Sequence, residues 1–282
     1  MISSHAAKCL STRTHTLNNG VKIPVFGLGV WQVNDGNTVQ ESTLKALEMG
    51  YRLIDTAAIY GNETGVGKAM AQSGIARSEI FVTSKLWNDD IRSGKELDGF
   101  NITLDKLGLE TLDLYLIHWP IKGRIVEPWL ALTKIAESKR VRAIGVSNYH
   151  EHHLKALAEK SGVVPALNQV EINPLLQNIP LRNYCTKLGI TVQAWSPLMQ
   201  GKFADNVTLE SLATKHKRTV PQIILRWNIQ ENILTIPKTT NPLRMVENAE
   251  AFDFELDAAD MAAIRALDCG KRFGPDPDNF NF

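Results

Sequence analysis

From Pro24 onward the chain alternates short apolar runs with longer stretches in which apolar residues recur every three to four positions. The short runs fall at 25–28, 52–55, 80–84, 112–118, 141–147, 166–170, 191–195 and 233–236 and read as β-strands. Between them, 39–49, 64–73, 94–107, 128–138, 151–160, 181–188 and 220–230 carry helical periodicity. Eight apolar strands, each followed by a helix-length segment, predict a closed parallel sheet of the (β/α)8 TIM-barrel type. The rival doubly wound sheet needs a Gly-rich turn after its first strand, and that mark is poorly met here.

The regular alternation has additions at both ends. Residues 14–17 and 21–23 flank an Asn18-Asn19-Gly20 turn and predict an N-terminal β-hairpin acting as a lid or plug. Near the C-terminus an extra helix is expected at 209–216, capped by Thr208. Another opens with Asp257-Ala-Ala-Asp260, a capping-box pattern, and runs to about Leu267. The tail from Gly270 is rich in Gly, Pro and Asp; it cannot form a helix, but its phenylalanines can pack over a barrel mouth. No linker or long low-complexity segment interrupts the chain, so residues 1–282 are expected to be one domain.

Composition narrows the partners. The chain has 31 Lys and Arg against 30 Asp and Glu, a net charge of +1, so no global field draws in nucleic acid or anionic membranes. Any anion must meet a local basic cluster. Cys9, Cys185 and Cys269 have neither disulfide-framework nor metal-ligand spacing, which favours a reducing compartment. No signal-peptide core opens the chain and no apolar run approaches about 18 residues, so a cytoplasmic location is expected.

In a barrel of this kind the chemistry sits where strands end. Three neighbouring strands end in Asp55, Lys85 and His118, with Tyr60 presented by the loop after Asp55. Alone, a charged residue at the end of an apolar strand only marks where the chain leaves the core. Together the four make a proton-transfer set. A free tyrosine has a pKa of about 10 and is a poor acid at neutral pH. A lysine ammonium beside it favours the phenolate, and Asp55 would keep Lys85 charged and in place. His118, as a neutral donor, could orient a carbonyl oxygen against Tyr60. Metal binding is the rival use of Asp and His, weakened by the lysine, the tyrosine and the lack of a second ligand close to His118. A Schiff base on Lys85 is a further rival, opposed by its pairing with Asp55.

Gly65-Val-Gly67-Lys68 lies within a helical stretch and misses both dinucleotide and P-loop spacing, so these glycines are read as helix packing. Better candidates for a cofactor end the later strands. Ser147 and Asn148, with Asn168-Gln169, offer amides and hydroxyls suited to a carboxamide. Trp195 offers a plane for an aromatic ring. Lys238, Arg244 and a helix opening at Asn241-Pro-Leu could hold phosphates, although the two cations would equally suit a solvated face.

Asp55-Thr-Ala-x-x-Tyr60-Gly-Asn-Glu63, Lys85-Leu-Trp, His118-Trp-Pro, Gly-x-Ser147-Asn148, Asn168-Gln169 and Ile-Pro-Lys238 resemble the aldo-keto reductases in order and spacing. The resemblance spans roughly Leu17 to Phe254 and implies a barrel that binds extended NADPH without a Rossmann domain. It implies a catalytic tetrad of Asp55, Tyr60, Lys85 and His118. It implies a carboxamide site at Ser147, Asn148 and Gln169, and a stack on Trp195. Ser196, Leu198, Lys238, Thr239, Arg244 and Asn248 would line the pyrophosphate and adenosine end.

Phe252-Asp-Phe254 and the Phe-Gly-Pro-Asp-Pro-Asp tail are similar to the bacterial branch with 2,5-diketo-D-gluconate and methylglyoxal reductases. The short loops of that branch imply an open pocket for small polar carbonyl substrates, with Trp31, Trp87 and Trp119 as apolar walls beside His118. A monomer is usual there. Trp195 stands where relatives often have Tyr or Phe, Thr239 where serine is commoner, and Met199 where glycine is frequent. The expected activity is NADPH-dependent carbonyl reduction with Tyr60 as proton donor. The alternative is an NADPH-binding regulatory sensor with little turnover, which the short loops disfavour.

Overall fold

A computed structural model describes residues 2–280. Its main sheet runs β3 (Leu28–Gly29), β4 (Leu53–Asp55), β5 (Phe81–Leu86), β6 (Leu112–Ile117), β7 (Val141–Ser147), β8 (Leu167–Glu171), β9 (Thr191–Trp195) and β10 (Leu234–Thr235), all parallel and in chain order. Parallel bridges pair Phe26 with Thr235 and Gly29 with Lys238, closing the last strand onto the first. The expected (β/α)8 barrel is present. Closure brings backbones close together: a Cβ on Gly29 would lie 2.8 Å from the Ile236 carbonyl oxygen.

Helices α2 (Asn37–Glu48), α3 (Glu63–Gln72), α4 (Asn88–Ser93), α5 (Glu96–Leu107), α6 (Val126–Glu137), α7 (Glu151–Ser161), α8 (Ile179–Lys187) and α10 (Val220–Gln230) surround the sheet. The strands' period of two divides the core. Tyr115 and Ile117 of β6 join the outer cluster between sheet and helices, whereas Leu114 and Leu116 join an inner cluster with Leu53, Phe81, Leu167 and Leu234. Each large apolar side chain so buried contributes about 1.5–3 kcal/mol. The expected hairpin, β1 (Thr14–Thr16) with β2 (Lys22–Pro24), delivers Leu17 and Ile23 into that inner cluster and so plugs the barrel.

Several local expectations are corrected. Helix α1 (Ser4–Thr12), which buries only Ala6 and Leu10, precedes the hairpin. The helix expected from Gly94 is present as α5, and what was not expected is the short α4 before it, which Gly94 ends in a left-handed conformation. Helix α9 (Val207–His216) is capped by Asn206, whose side chain accepts from the Leu209 N–H, and not by Thr208. The glycines of α3 are packing residues as expected: a Cβ on Gly65 would meet Val39, and one on Gly67 the Leu107 carbonyl. Helix α11 (Pro242–Ala249) follows β10, and α12 (Ala258–Arg265) begins at the expected Asp257 capping box but ends earlier than Leu267.

Candidate active site

The inward side of each strand is apolar low in the barrel and polar at its C-terminal end. Two residues beyond Leu53 on the same face is Asp55; four beyond Phe81 is Lys85; two beyond Leu116 is His118. By the same alternation Ser147 follows Ala143, Gln169 follows Leu167, and Lys238 follows Leu234. One periodic rule thus both fills the barrel and gathers the polar groups at its upper end.

Lys85 is the hub. Its ammonium, fully buried, donates to Asp55 Oδ1 at 2.6 Å, to the Thr56 carbonyl at 2.9 Å and to Tyr60 Oη at 3.4 Å. Burial opposes charge on Lys85, but Asp55 and then Tyr60 outweigh it and hold the ammonium above its usual range. Burial raises Asp55, with Lys85 and Gln169 pulling the other way. A carboxylate that accepts from an ammonium and an amide is held in its ionised form. Burial also raises Tyr60 despite Lys85, so the expected net lowering of the phenol is corrected: Lys85 offsets part of the burial effect. Burial first, and Lys85 second, push His118 well below the usual imidazole range, leaving a neutral ring at neutral pH.

Tyr60 is fixed by its loop. It ends a 3-10 turn, Ala58–Tyr60, closed by Gly61 in a left-handed conformation. Asn62 then ties the loop down: it donates to the carbonyls of Val30 and Val33, both at 2.9 Å, and accepts from Thr56 Oγ1 at 2.7 Å. Its side chain makes no cap to α3, although the position reads as a helix start.

The expected carboxamide residues form a connected net. Asn148, in a left-handed conformation, donates to the His118 carbonyl at 3.0 Å and to Ser147 Oγ at 3.1 Å, and accepts from Trp195 Nε1 at 2.8 Å. Gln169 Nε2 donates to Asp55 Oδ2 and Gln193 Oε1, both at 2.7 Å. With both amide hydrogens engaged, Gln169 has its carbonyl oxygen left to meet a ligand, a feature sequence reasoning missed. Gln193 was missed too, although it shares the inward face of β9 with Trp195.

These groups border a cavity of about 530 Å³. Trp31, Trp87 and Trp119 form apolar walls; Tyr60, His118, Ser147, Asn148 and Gln169 line it, as do Trp195, Ser196 and Lys238. Leu198, Thr239, Arg244 and Asn248 lie outside it. Leu198 is half-buried, Thr239 Oγ1 accepts from the Asn241 N–H, and α11 carries Arg244 exposed and Asn248 buried. In the loop after β9, Ser196, Met199 and Gln200 all have positive φ, so Met199 occupies a backbone conformation that ordinarily favours glycine.

The tail closes the cavity. Phe273, Gly274 and Pro275 line it, and the Phe280 ring stacks on Trp119 at 4.2 Å between centroids, as expected for phenylalanines over a barrel mouth. Glu171, at the end of β8, accepts from the N–H groups of Phe273 at 2.7 Å and Gly274 at 3.1 Å. Gly274 sits so near Trp195 that a Cβ would lie 2.3 Å from the indole ring. Glu171 was not anticipated, because the tail N–H groups it holds are more than a hundred residues away.

Residues 25–268 match the model of the aldo/keto reductase family. A protein from Bacillus subtilis named glyoxal reductase is 49% identical over 95% of this chain and 98% of its own. One from Yersinia pestis named methylglyoxal reductase DkgA is 44% identical over 94% of this chain and 96% of its own. Among solved structures, a mutant of Gox0644 in complex with NADPH superposes with a TM-score of 0.90 at 39% identity, covering 95% of this chain and 98% of that one.

Proposed function

The chain belongs to the aldo/keto reductase family, and from that premise we propose that its barrel reduces small polar aldehydes and ketones to alcohols with NADPH. The observation that carries the mechanism is the buried Lys85 ammonium within hydrogen-bond reach of both Asp55 and Tyr60.

The cavity suits the cofactor. A buried floor of amide and hydroxyl groups, an indole beside it and Lys238 on the same cavity match a carboxamide, a flat ring and a phosphate. In this reading Ser147, Asn148 and the free carbonyl oxygen of Gln169 hold the carboxamide, and Trp195 packs against the ring. Ser196, Leu198, Lys238, Thr239, Arg244 and Asn248 hold the pyrophosphate and adenosine end. Bound NADPH supplies the hydride that the carbonyl carbon accepts.

The chain's own groups manage the proton. Tyr60 Oη and the neutral His118 ring hold the carbonyl oxygen between them. Because burial keeps the phenol protonated, Tyr60 arrives loaded with the proton the oxygen needs. As charge gathers on that oxygen Tyr60 releases the proton, and Lys85 stabilises the phenolate left behind. Asp55 keeps the ammonium charged and aimed. Trp31, Trp87 and Trp119 exclude water, and a cavity of this size admits small dicarbonyls such as methylglyoxal.

The test is NADPH oxidation with methylglyoxal and with 2,5-diketo-D-gluconate, wild type beside Tyr60→Phe. Turnover that falls by about 10²–10⁴ in the variant, with NADPH binding kept, is the expected result. Equal turnover would overturn the assignment of Tyr60.

A further inference from the structure

Beyond β7 the chain enters α7 through Tyr149-His150-Glu151-His152-His153, and the C-terminal tail folds back to meet it. Asp278 Oδ2 lies 2.8 Å from His150 Nδ1, while Oδ1 lies 3.1 Å from His152 Nε2 and 3.5 Å from His153 Nε2. Nothing in the reduction chemistry uses these groups. One ligand atom each from His150, His152 and Asp278 lie within 4.8 Å of one another, although the two segments are 128 residues apart. Bond lengths of about 2.0–2.2 Å to nitrogen and oxygen let one ion reach all three with small side-chain adjustments.

His153 has a different part. Its Nδ1 accepts the His150 N–H at 3.1 Å, which puts its proton on Nε2, facing Asp278. A ring so occupied cannot coordinate, but it can hold the carboxylate oxygen that an ion leaves free, as outer hydrogen-bond partners of metal ligands do.

We propose that His150 Nδ1, His152 Nε2 and the Asp278 carboxylate bind a divalent ion of the zinc, cobalt or nickel class, fastening the C-terminal tail to the start of α7. Two imidazoles and one carboxylate suit these ions, whereas magnesium and calcium take oxygen donors. The same tail supplies Phe273, Gly274 and Pro275 to the cavity wall and stacks Phe280 on Trp119, so the ion fixes one wall of the pocket from outside it.

The site carries its own competitor. Arg272 Nη2 lies 3.3 Å from His150 Nε2 and donates to it, which places the ring proton on Nδ1. An ion on Nδ1 shifts that proton to Nε2 and turns the guanidinium away. Replacing Arg272 therefore tightens binding.

The experiment titrates the untagged, chelator-stripped full chain with Co²⁺, read by its visible absorption, and with Zn²⁺ by calorimetry. One ion per chain is expected, weakened by about tenfold or more in His152→Asn and Asp278→Asn, tightened in Arg272→Gln, and less affected in His153→Asn. Zn²⁺ should slow proteolytic cleavage of the tail in the wild type and not in Asp278→Asn. His152, Arg272 and Asp278 lie on the surface or in the tail, His153 is mostly buried, and retained NADPH binding confirms that each variant folds. A chain that takes up neither ion at micromolar concentration overturns the proposal. So does uptake unchanged by Asp278→Asn, which would mean histidines binding without the tail.

Discussion

At the floor of the cavity Asn148 and Gln169 are buried, with Asp55 and Lys85 buried just beneath them. Asp55 bonds to Lys85 and Gln169, the Asn148 N–H donates to the Gln169 carbonyl, and each stands on a barrel strand or just beyond its end. At its roof Phe273 to Pro275 belong to a tail without regular structure, held by two N–H groups on Glu171, by Asp278 among three histidines and by one aromatic stack. The floor's positions follow from strand register, so shifting any one of them means shifting a strand. The roof's position follows from a handful of polar contacts and can change without disturbing the barrel. A fold divided in this way keeps its chemistry constant while its pocket shape stays adjustable.

The comparison predicts that floor changes act on kcat and roof changes on KM. The largest effect belongs to Lys85. Lys85→Met removes the cation beside Tyr60 and leaves Asp55 buried without it, so kcat should fall by about 10³, roughly 4 kcal/mol of transition-state stabilisation. The unpaired carboxylate should also cost about 3–5 kcal/mol of stability. Adding Asp55→Asn removes the stranded charge and should recover much of the melting temperature but none of the rate. Joint recovery of both would mean that the pair is structural only.

A smaller effect is expected at the roof. Glu171→Gln keeps the size of the side chain but turns an amide NH₂ toward one of the two backbone donors it now accepts from. Loss of that contact should raise KM for the carbonyl substrate by about tenfold, near 1.4 kcal/mol, with kcat changed less than about threefold. A fall in kcat at unchanged KM would place Glu171 with the floor and erase the distinction.

The same division separates what is legible in the amino-acid sequence from what is not. The strands are legible because each is a short apolar run, and the tetrad because alternation carries Asp55, Lys85 and His118 onto the inward face at the strand ends. Helix α1 is not legible, since it is only nine residues long and buries just Leu10 and the small Ala6, too little apolar content to mark a helix. Gln169 stands out, but its use of both amide hydrogens on Asp55 and Gln193 depends on which strands are neighbours in space. The roof is barely legible. Its phenylalanines can be seen, whereas Glu171 and the His150-Glu-His152-His153 run acquire meaning only when the tail returns to them. That run is conspicuous as a cluster of imidazoles, and the clustering is the one signal that points to it.

The smallest expected effect concerns pH and the floor. His118 is held neutral by burial and by Lys85, so its folded pKa lies below the unfolded value of 6.5. Between those two values the unfolded chain binds the proton and the folded chain does not, so stability falls as pH drops through that window and is fully present above it. The melting temperature should therefore decline from pH 7 toward pH 5 more steeply in the wild type than in His118→Gln, which has no ring to protonate. Over the same range kcat should show no step near 6.5, because the ring is already neutral in the folded enzyme. A rate that halves near 6.5 would mean that His118 titrates freely, and the floor would then be as open to solvent as the roof.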